Sequence, residues 1–353
     1  MFWWNLAETL VRTIVIFAGA MTMVPVLIWM ERKLVAVFQV RVGPNRVGPF
    51  GLLQPMADAL KLMMKEDITP SGVDKPVYYL APLLALIPAV LALGVIPFGP
   101  APWARITDLY HSVLYSFAIS GLSVYAVAMA GWASNNKYSL LGALRATAQM
   151  ISYELPMGLA IIAALIAMGG TTSWAEIVER QAHGAFGILD WNVFGNGNPW
   201  LILPMLIACL TYFTCGIAET NRAPFDLAEA ESELTAGFHT EYSSFKFAMF
   251  FMSEYVNMVI VSALATTLFL GGWSGPGVVQ GANGAYGIVP TLLGIVYFLA
   301  KVFVFIFIYM WLRATLPRFR YDQLMNFGWK FLVPLGLANI FLVCMAIALN
   351  GWK

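Results

Sequence analysis

Long apolar stretches separated by short polar segments run along the whole chain. Eight of these stretches are long enough to cross a bilayer as α-helices, which takes about 20 residues each. We place the spans at about 13–30, 77–98, 113–133, 155–170, 200–218, 247–272, 288–312 and 331–349. The pattern predicts an all-α, polytopic membrane protein that forms a single integral membrane domain over residues 1–353.

A shorter segment at about 50–66 has a different pattern. Its apolar residues recur at helical spacing, whereas Lys61 and Lys65 lie on another face. Such a segment is typical of an amphipathic helix that lies at the membrane interface. Two interpretations stay open: a surface anchor, or one wall of an opening for an amphiphilic ligand.

Composition narrows the class of protein. Of 353 residues, 60% are hydrophobic and 11% are charged, whereas a soluble domain has roughly 25% charged residues. This excludes a soluble enzyme and a disordered chain, and the net charge of +1 excludes a nucleic-acid binder. The three cysteines form no Cys-x-x-Cys pair, the histidines lack metal-ligand spacing, and no glycine fingerprint occurs. We therefore expect neither a metal nor a redox cofactor on this chain.

Basic residues are distributed unevenly between the two sides of the membrane. The segments 31–76, 134–154, 219–246 and 313–330 fall on one side and hold fifteen basic residues, against four on the other side. The positive-inside rule places these four segments in the cytoplasm or matrix. Both termini are then predicted to lie on the outer side.

The segment 219–241 is the most unusual one, because six carboxylates share it with Arg222 as the only basic residue. The carboxylates are Glu219, Asp226, Glu229, Glu231, Glu233 and Glu241. Glu219, Arg222 and Asp226 have the spacing that stacks side chains on one face of a helix. Crowded carboxylates raise one another's pKa and titrate together, so the set would hold and pass protons near neutral pH. A plain solvated acidic loop is the alternative.

Three charged residues lie at membrane depth, where a charge is costly. Glu154 begins the fourth span, Glu254 lies about two turns inside the sixth, and Lys301 lies midway along the seventh. They indicate a polar pathway, or a structural pair such as Glu254 with Lys301. The pattern leaves both interpretations open.

A basic segment follows the seventh span, with Arg313, Arg318 and Arg320 around a proline. These arginines either anchor the span at the interface or bind acidic surfaces of a partner protein.

Four stretches resemble a known family. They are Arg41–Glu66 (beginning R-V-G-P-N-R-V-G-P), Ile151–Pro156 (I-S-Y-E-L-P), Ala218–Tyr255 (beginning A-E-T-N-R-A-P-F-D-L-A-E-A-E-S-E-L) and Trp311–Met325. The chain resembles the H-subunit family of proton-translocating NADH–quinone oxidoreductase (respiratory complex I), the counterpart of mitochondrial subunit 1. Span number and loop order agree, so the resemblance covers nearly the whole chain. The family more often has an aliphatic residue at the position of Thr240.

The resemblance implies a membrane-side part of a quinone chamber, with part of the helix bundle like half of an antiporter. Quinone, favoured as ubiquinone, would be the substrate, and FMN and iron–sulfur clusters would be held by partner subunits. The implied partners are peripheral-arm quinone-site subunits, small and antiporter-like membrane subunits, and lipid, with no nucleic acid. The implied location is a bacterial inner membrane with periplasmic termini, or a mitochondrial inner membrane.

The resemblance also assigns roles to residues. Arg41, Arg46, Asp58, Lys61 and Arg222 would line or support the quinone chamber and its mouth. Proton coupling would fall to Glu154, Glu219, Asp226, Glu229, Glu231, Glu233, Glu241 and Glu254. We expect Arg313, Arg318 and Arg320 to dock partner subunits. Two other functions remain as alternatives: the membrane anchor of an energy-converting hydrogenase-type complex, and a free-standing ion transporter.

Overall fold

The computed structural model describes residues 2–182, 190–227, 237–278 and 286–349, and these contain helices but no β-strand. Glu229, Glu231 and Glu233 lie outside the described residues. The α-helices, in chain order, are α1 (Phe2–Phe38), α2 (Gln54–Met64), α3 (Lys75–Leu93), α4 (Ser112–Ser120), α5 (Leu122–Ala133), α6 (Lys137–Ala167), α7 (Trp174–Arg180), α8 (Ile202–Glu219), α9 (Ser244–Phe269), α10 (Ile288–Thr315), α11 (Tyr321–Phe327) and α12 (Val333–Leu349).

Eight helical segments of the described residues are long and apolar enough to cross a membrane. They are α1, α3, the pair α4–α5, α6, α8, α9, α10 and the pair α11–α12. The π-helical turn Gly328–Leu332 joins the last two helices. This confirms the prediction of an all-α polytopic membrane protein with eight spans.

Two helices extend further than the hydropathy pattern predicts. Helix α6 begins at Lys137, because the polar residues of its first half are buried against other helices: Ser139 Oγ donates to the carbonyl of Phe238 at 3.0 Å. Helix α1 continues to Phe38 and so carries Glu31 on a helix rather than in a loop. Partners within the bundle satisfy these polar groups, which therefore need no solvent.

The connecting segments form two opposite faces of the bundle. On one face, the backbone N–H of Asp74 donates to the carbonyl of Ala133 at 3.2 Å, and that of Phe319 donates to the carbonyl of Pro224 at 3.2 Å. We call this the charged face; its described segments are 39–74, 134–136, 220–227, 237–243 and 316–320. The opposite face contains segments 94–111, 168–201, 270–278 and 286–287, joined for example by Val113 N–H to the carbonyl of Thr172 at 3.1 Å.

Helices α6, α8 and α9 pack at the centre of the bundle. Fully buried rings fill the space between them and their neighbours, among them Tyr153, Tyr212 and Phe269. Helix α2 lies apart on the charged face, against α1 and α9, and exposes Met56, Leu60 and Met64. This arrangement brings Glu154, Glu219 and Glu254, one from each central helix, into the interior.

Candidate functional site

A buried cluster of ions lies where α1, α9 and α10 meet the segment after α8. Arg222, only 5% exposed, donates from Nη1 to the two carboxylate oxygens of Glu31 at 3.0 and 2.9 Å. Its Nε is ion-paired with Glu254, and Arg313 is ion-paired with Glu31. The hydroxyl of Tyr255 donates to Glu31 at 2.8 Å, and the guanidinium of Arg222 lies 4.2 Å from the centre of that ring. We call these five residues the Arg222 cluster.

The charges of the Arg222 cluster balance, with two guanidinium groups facing two carboxylates. Burial by itself lowers the pKa of Arg222, but the carboxylates of Glu254 and Glu31 hold that pKa well above its usual value. Arg222 therefore keeps its charge at any physiological pH. Each buried charge in such a set depends on its partner, because loss of one partner leaves the other without compensation.

The turn after α8 directs Arg222 into the bundle. Helix α8 ends at Glu219, and Asn221 adopts a left-handed conformation with φ of 50°. Gln149 of α6 is completely buried, and its Nε2 donates at 2.7 Å to the carbonyls of both Ala218 and Phe225. Because the helix ends here, Glu219, Arg222 and Asp226 do not share a helical face. The prediction that these three residues stack at helical spacing is wrong.

A cavity of about 410 Å³ adjoins the Arg222 cluster on the charged face. Arg32, Arg41 and Arg313 line it together with Glu31, and Ala36 is among its apolar residues. The wall thus combines strong hydrogen-bond donors with apolar surface. Such a wall suits a molecule that has oxygen acceptors at one end and a hydrocarbon part at the other.

Two smaller cavities, of about 60 and 40 Å³, lie deeper in the bundle. Ser123, Glu219 and Asn257 line both of them, and Glu254 lines the first. A water molecule needs roughly 10–15 Å³ and polar partners, so both cavities are large and polar enough to hold water. Glu254 is therefore ion-paired with Arg222 and also lines the first of these interior cavities.

Comparisons with known proteins show the family of this chain. A family model described as NADH dehydrogenase matches residues 11–344. The chain is 47% identical to an NADH-quinone oxidoreductase H subunit of Koribacter versatilis, over 98% of both chains. It is also 47% identical to an H subunit of the same enzyme from Solibacter usitatus, over 96% of both chains, and to that of Ralstonia pickettii, over 99% of this chain and 96% of that one. The chain belongs to the H-subunit family of NADH-quinone oxidoreductases.

The resemblance to the H-subunit family assigned five residues to the quinone chamber. Arg41 lines the large cavity and Arg222 lies in the adjoining cluster. Asp58 lies on α2 and supports the wall indirectly, since it accepts a hydrogen bond from Arg32 at 2.5 Å. Lys61 is largely exposed, 3.8 Å from the same carboxylate, and Arg46 is exposed and is not among the residues that line the cavity.

The carboxylates assigned to proton coupling that lie in the described segments fall into two groups. Glu154, Glu219 and Glu254 lie in the interior, and Glu154 and Glu219 are close enough to repel each other electrostatically. Asp226 and Glu241 lie instead on the charged face. Asp226 pairs with Arg318 at 3.1 Å, and Glu241 accepts a hydrogen bond from Asn136 at 2.6 Å.

The arginines assigned to partner docking also separate. Arg313 belongs to the Arg222 cluster and Arg318 pairs with Asp226. Arg320, which precedes α11, is exposed and lies 3.4 Å from Asp322 of that helix. Of the three, Arg320 therefore presents the most open surface to another protein.

Lys301 is not the partner of Glu254. Its Nζ donates to the carbonyls of Leu270, Gly272 and Ser274 on the opposite face, at 2.7, 2.9 and 2.7 Å. Glu254 pairs with Arg222, 32 positions away in sequence. The structure thus places these two membrane-level charges in different sites.

Sequence reasoning missed Glu31, Tyr255 and Gln149. A signal for Glu31 was present, because the apolar pattern of the first span continues beyond it through Leu34 and Val35. No comparable signal marks Tyr255 or Gln149, since their contacts come from other helices. Within the described ranges, no group of three or more His, Cys, Asp or Glu side chains has the geometry to hold a metal ion.

Proposed function

We propose that this chain is a membrane subunit of an NADH–quinone oxidoreductase, forming one wall of the quinone chamber and linking quinone reduction to proton movement. Membership of the H-subunit family supports the enzyme, and the large cavity supports the chamber. The observation that carries the proposal is the position of Glu31. This one carboxylate lines the large cavity and also binds Arg222, which reaches the interior through Glu254.

The large cavity offers what a quinone requires. Its guanidinium groups donate hydrogen bonds to carbonyl oxygens, and its apolar residues together with the exposed face of α2 accommodate a hydrocarbon tail. Electrons would come from NADH through FMN and iron–sulfur clusters on partner subunits. Reduction of a quinone to a quinol consumes two electrons and two protons, so charge and protonation change next to Glu31.

The Arg222 cluster would transmit that change. Arg222 interacts with both Glu31 and Glu254. When the cavity becomes more negative, the guanidinium is attracted more strongly towards it, and its ion pair with Glu254 becomes weaker. Glu254 faces Glu219 across a cavity that can hold water. A change in the electrostatics of quinone binding is thereby converted into a change in the proton affinity of interior carboxylates.

The distribution of basic residues gives the proposed orientation. The charged face would lie in the cytoplasm or matrix, where it meets the peripheral-arm subunits, and both termini would lie on the periplasmic or intermembrane side. Partner subunits of this kind would contact the exposed basic surface around Arg320.

The proposal is tested with three variants of the intact complex in membrane vesicles: Arg41→Ala, Arg46→Ala and Glu219→Gln. We measure the KM for quinone and the number of protons moved per electron. Arg41→Ala should raise the KM about tenfold, as expected for loss of about 1.4 kcal/mol of binding, because Arg41 lines the cavity. Arg46→Ala is the matched control and should change it little. Glu219→Gln should lower the proton yield without a comparable change in KM.

NADH oxidation by ferricyanide, which does not need the quinone site, verifies that each variant retains a working peripheral arm. Equal effects of Arg41→Ala and Arg46→Ala would contradict the assignment of the cavity to quinone. An unchanged proton yield in Glu219→Gln would contradict the coupling role of the interior carboxylates while leaving the quinone assignment intact.

A further inference from the structure

A tryptophan lines the smaller of the two interior cavities. This cavity is lined by Glu219 and Asn257 and by residues of α4, α6 and α9. Trp174, the first residue of α7 on the opposite face, also lines it and is only 2% exposed. Between Glu254 in the first cavity and Leu264 in the second, α9 rises about 15 Å, which is half the thickness of a bilayer core.

Two hydrogen bonds fix Trp174 in this position. Its indole Nε1 donates to the hydroxyl of Ser116 at 3.0 Å, and its backbone N–H donates to the hydroxyl of Ser112 at 2.8 Å. Both serines belong to α4 and are buried. The completely buried Ile177 and Val178 follow on the same short helix. The ring is therefore held firmly, and apolar residues accompany it on the opposite face.

The serine hydroxyls along the cavity are hydrogen-bonded to helix carbonyls rather than to one another. Ser116 donates to the carbonyl of Ser112 at 2.8 Å, Ser120 donates to that of Phe117 at 2.9 Å, and Ser123 donates to that of Ser120 at 2.7 Å. A hydroxyl relays a proton only when its own hydrogen points to another group that can be protonated. A backbone carbonyl accepts a hydrogen bond but does not pass a proton on, so in this arrangement the three hydroxyls form no continuous relay.

We propose that Trp174 is a proton seal: its indole closes the interior cavity towards the opposite face and so prevents protons held at Glu219 and Glu254 from crossing directly. The importance of the seal rests on the proposed function, since a barrier matters where interior carboxylates carry protons. Whether the seal exists can be tested independently of that function, because a passive proton leak is measured without any turnover.

The experiment uses the intact complex in proteoliposomes that carry a pH gradient, without NADH or quinone. Trp174→Ala should accelerate decay of the gradient about tenfold, which corresponds to a permeation barrier lowered by about 1.4 kcal/mol. Trp174→Phe fills most of the same volume and loses only the indole hydrogen bond, so its leak should be much smaller. Trp200→Ala is the matched control, because Trp200 is 62% exposed on the same face.

During turnover, Trp174→Ala should oxidise NADH at an undiminished rate while fewer protons accumulate per electron. If Trp174→Ala does not assemble, Trp174→Leu replaces it, as it keeps an apolar side chain but vacates the volume of a ring. An assembled Trp174→Ala or Trp174→Leu complex with an unchanged gradient decay would overturn the seal. A leak in these variants, together with an unchanged proton yield in Glu219→Gln, would support the seal and contradict the coupling role.

Discussion

Arg222 on the charged face and Lys301 on the opposite face have partners that differ in kind. On the charged face, Arg222 is surrounded by the carboxylates of Glu31 and Glu254. On the opposite face, Lys301 donates to three backbone carbonyls and lies 4.0 Å from the centre of the Trp191 ring. The first cation faces groups that can change their charge, whereas the second faces groups that cannot.

The same distinction extends to neighbouring residues of the opposite face. Gln181 Nε2 donates to the carbonyl of Thr267 at 2.9 Å, and Asn192 Nδ2 donates to that of Leu268 at 3.1 Å, so amides bind the last carbonyls of α9. Arg105 donates to the carbonyls of Gly99 and Pro100, although it also pairs with the half-exposed carboxylates of Asp108 and Glu179. The two amide contacts satisfy the last carbonyls of α9 at membrane depth.

The largest effect is expected for Arg222→Met, which leaves Glu31 and Glu254 facing each other without their shared cation. Breaking a buried ion pair on one side costs about 3–5 kcal/mol, so we expect little assembled complex and quinone reduction lowered by about a hundredfold or more. Native gels and quinone-reductase assays on membranes measure both.

Adding Glu254→Gln to Arg222→Met removes the carboxylate that loses its ion pair, since Glu31 keeps Arg313, and should restore part of the assembly. Arg320→Met removes an exposed arginine from the same face and is the control. The contrast between the two faces fails if Arg222→Met and Arg320→Met give the same amount of assembled complex and the same rate of quinone reduction.

A smaller effect is expected for Lys301→Met, which leaves three carbonyls of the opposite face without their donor. The loss of buried hydrogen bonds costs about 1–3 kcal/mol, so the complex should unfold at a lower temperature. The KM for quinone should not change, because Lys301 binds backbone carbonyls and lies on the face opposite to the large cavity. Thermal unfolding and quinone kinetics of the purified complex test this, with exposed Lys75→Met as the control. A KM raised as much as in Arg41→Ala would break the comparison.

The smallest effect is expected at the pair of Asp226 and Arg318, which is half-buried on the charged face. A pair of this kind contributes up to about 1 kcal/mol. A double-mutant cycle of Asp226→Asn and Arg318→Gln, followed by thermal unfolding, should give a coupling energy in that range. If this coupling energy were as large as that between Arg222 and Glu254, burial would not explain the difference in strength between the two ion pairs.

Much of the fold follows from local patterns. Hydropathy alone predicts the eight spans, and the spacing of Met56, Leu60 and Met64 predicts the amphipathic helix α2. The early start of α6 was not predictable from hydropathy, because Ser139 and Gln149 are polar residues. They can be buried in the bundle only because distant segments accept their hydrogen bonds.

The sequence by itself determined which residues carry unusual charge at membrane depth, since the high cost of burying a charge makes Glu154, Glu254 and Lys301 stand out against any apolar span. Only the tertiary structure decided their partners. Arg222 meets Glu31 across 191 positions of sequence, and Lys301 meets carbonyls rather than Glu254. The physical reason is that ion pairs depend on distances between helices, which packing decides and which no local periodicity encodes.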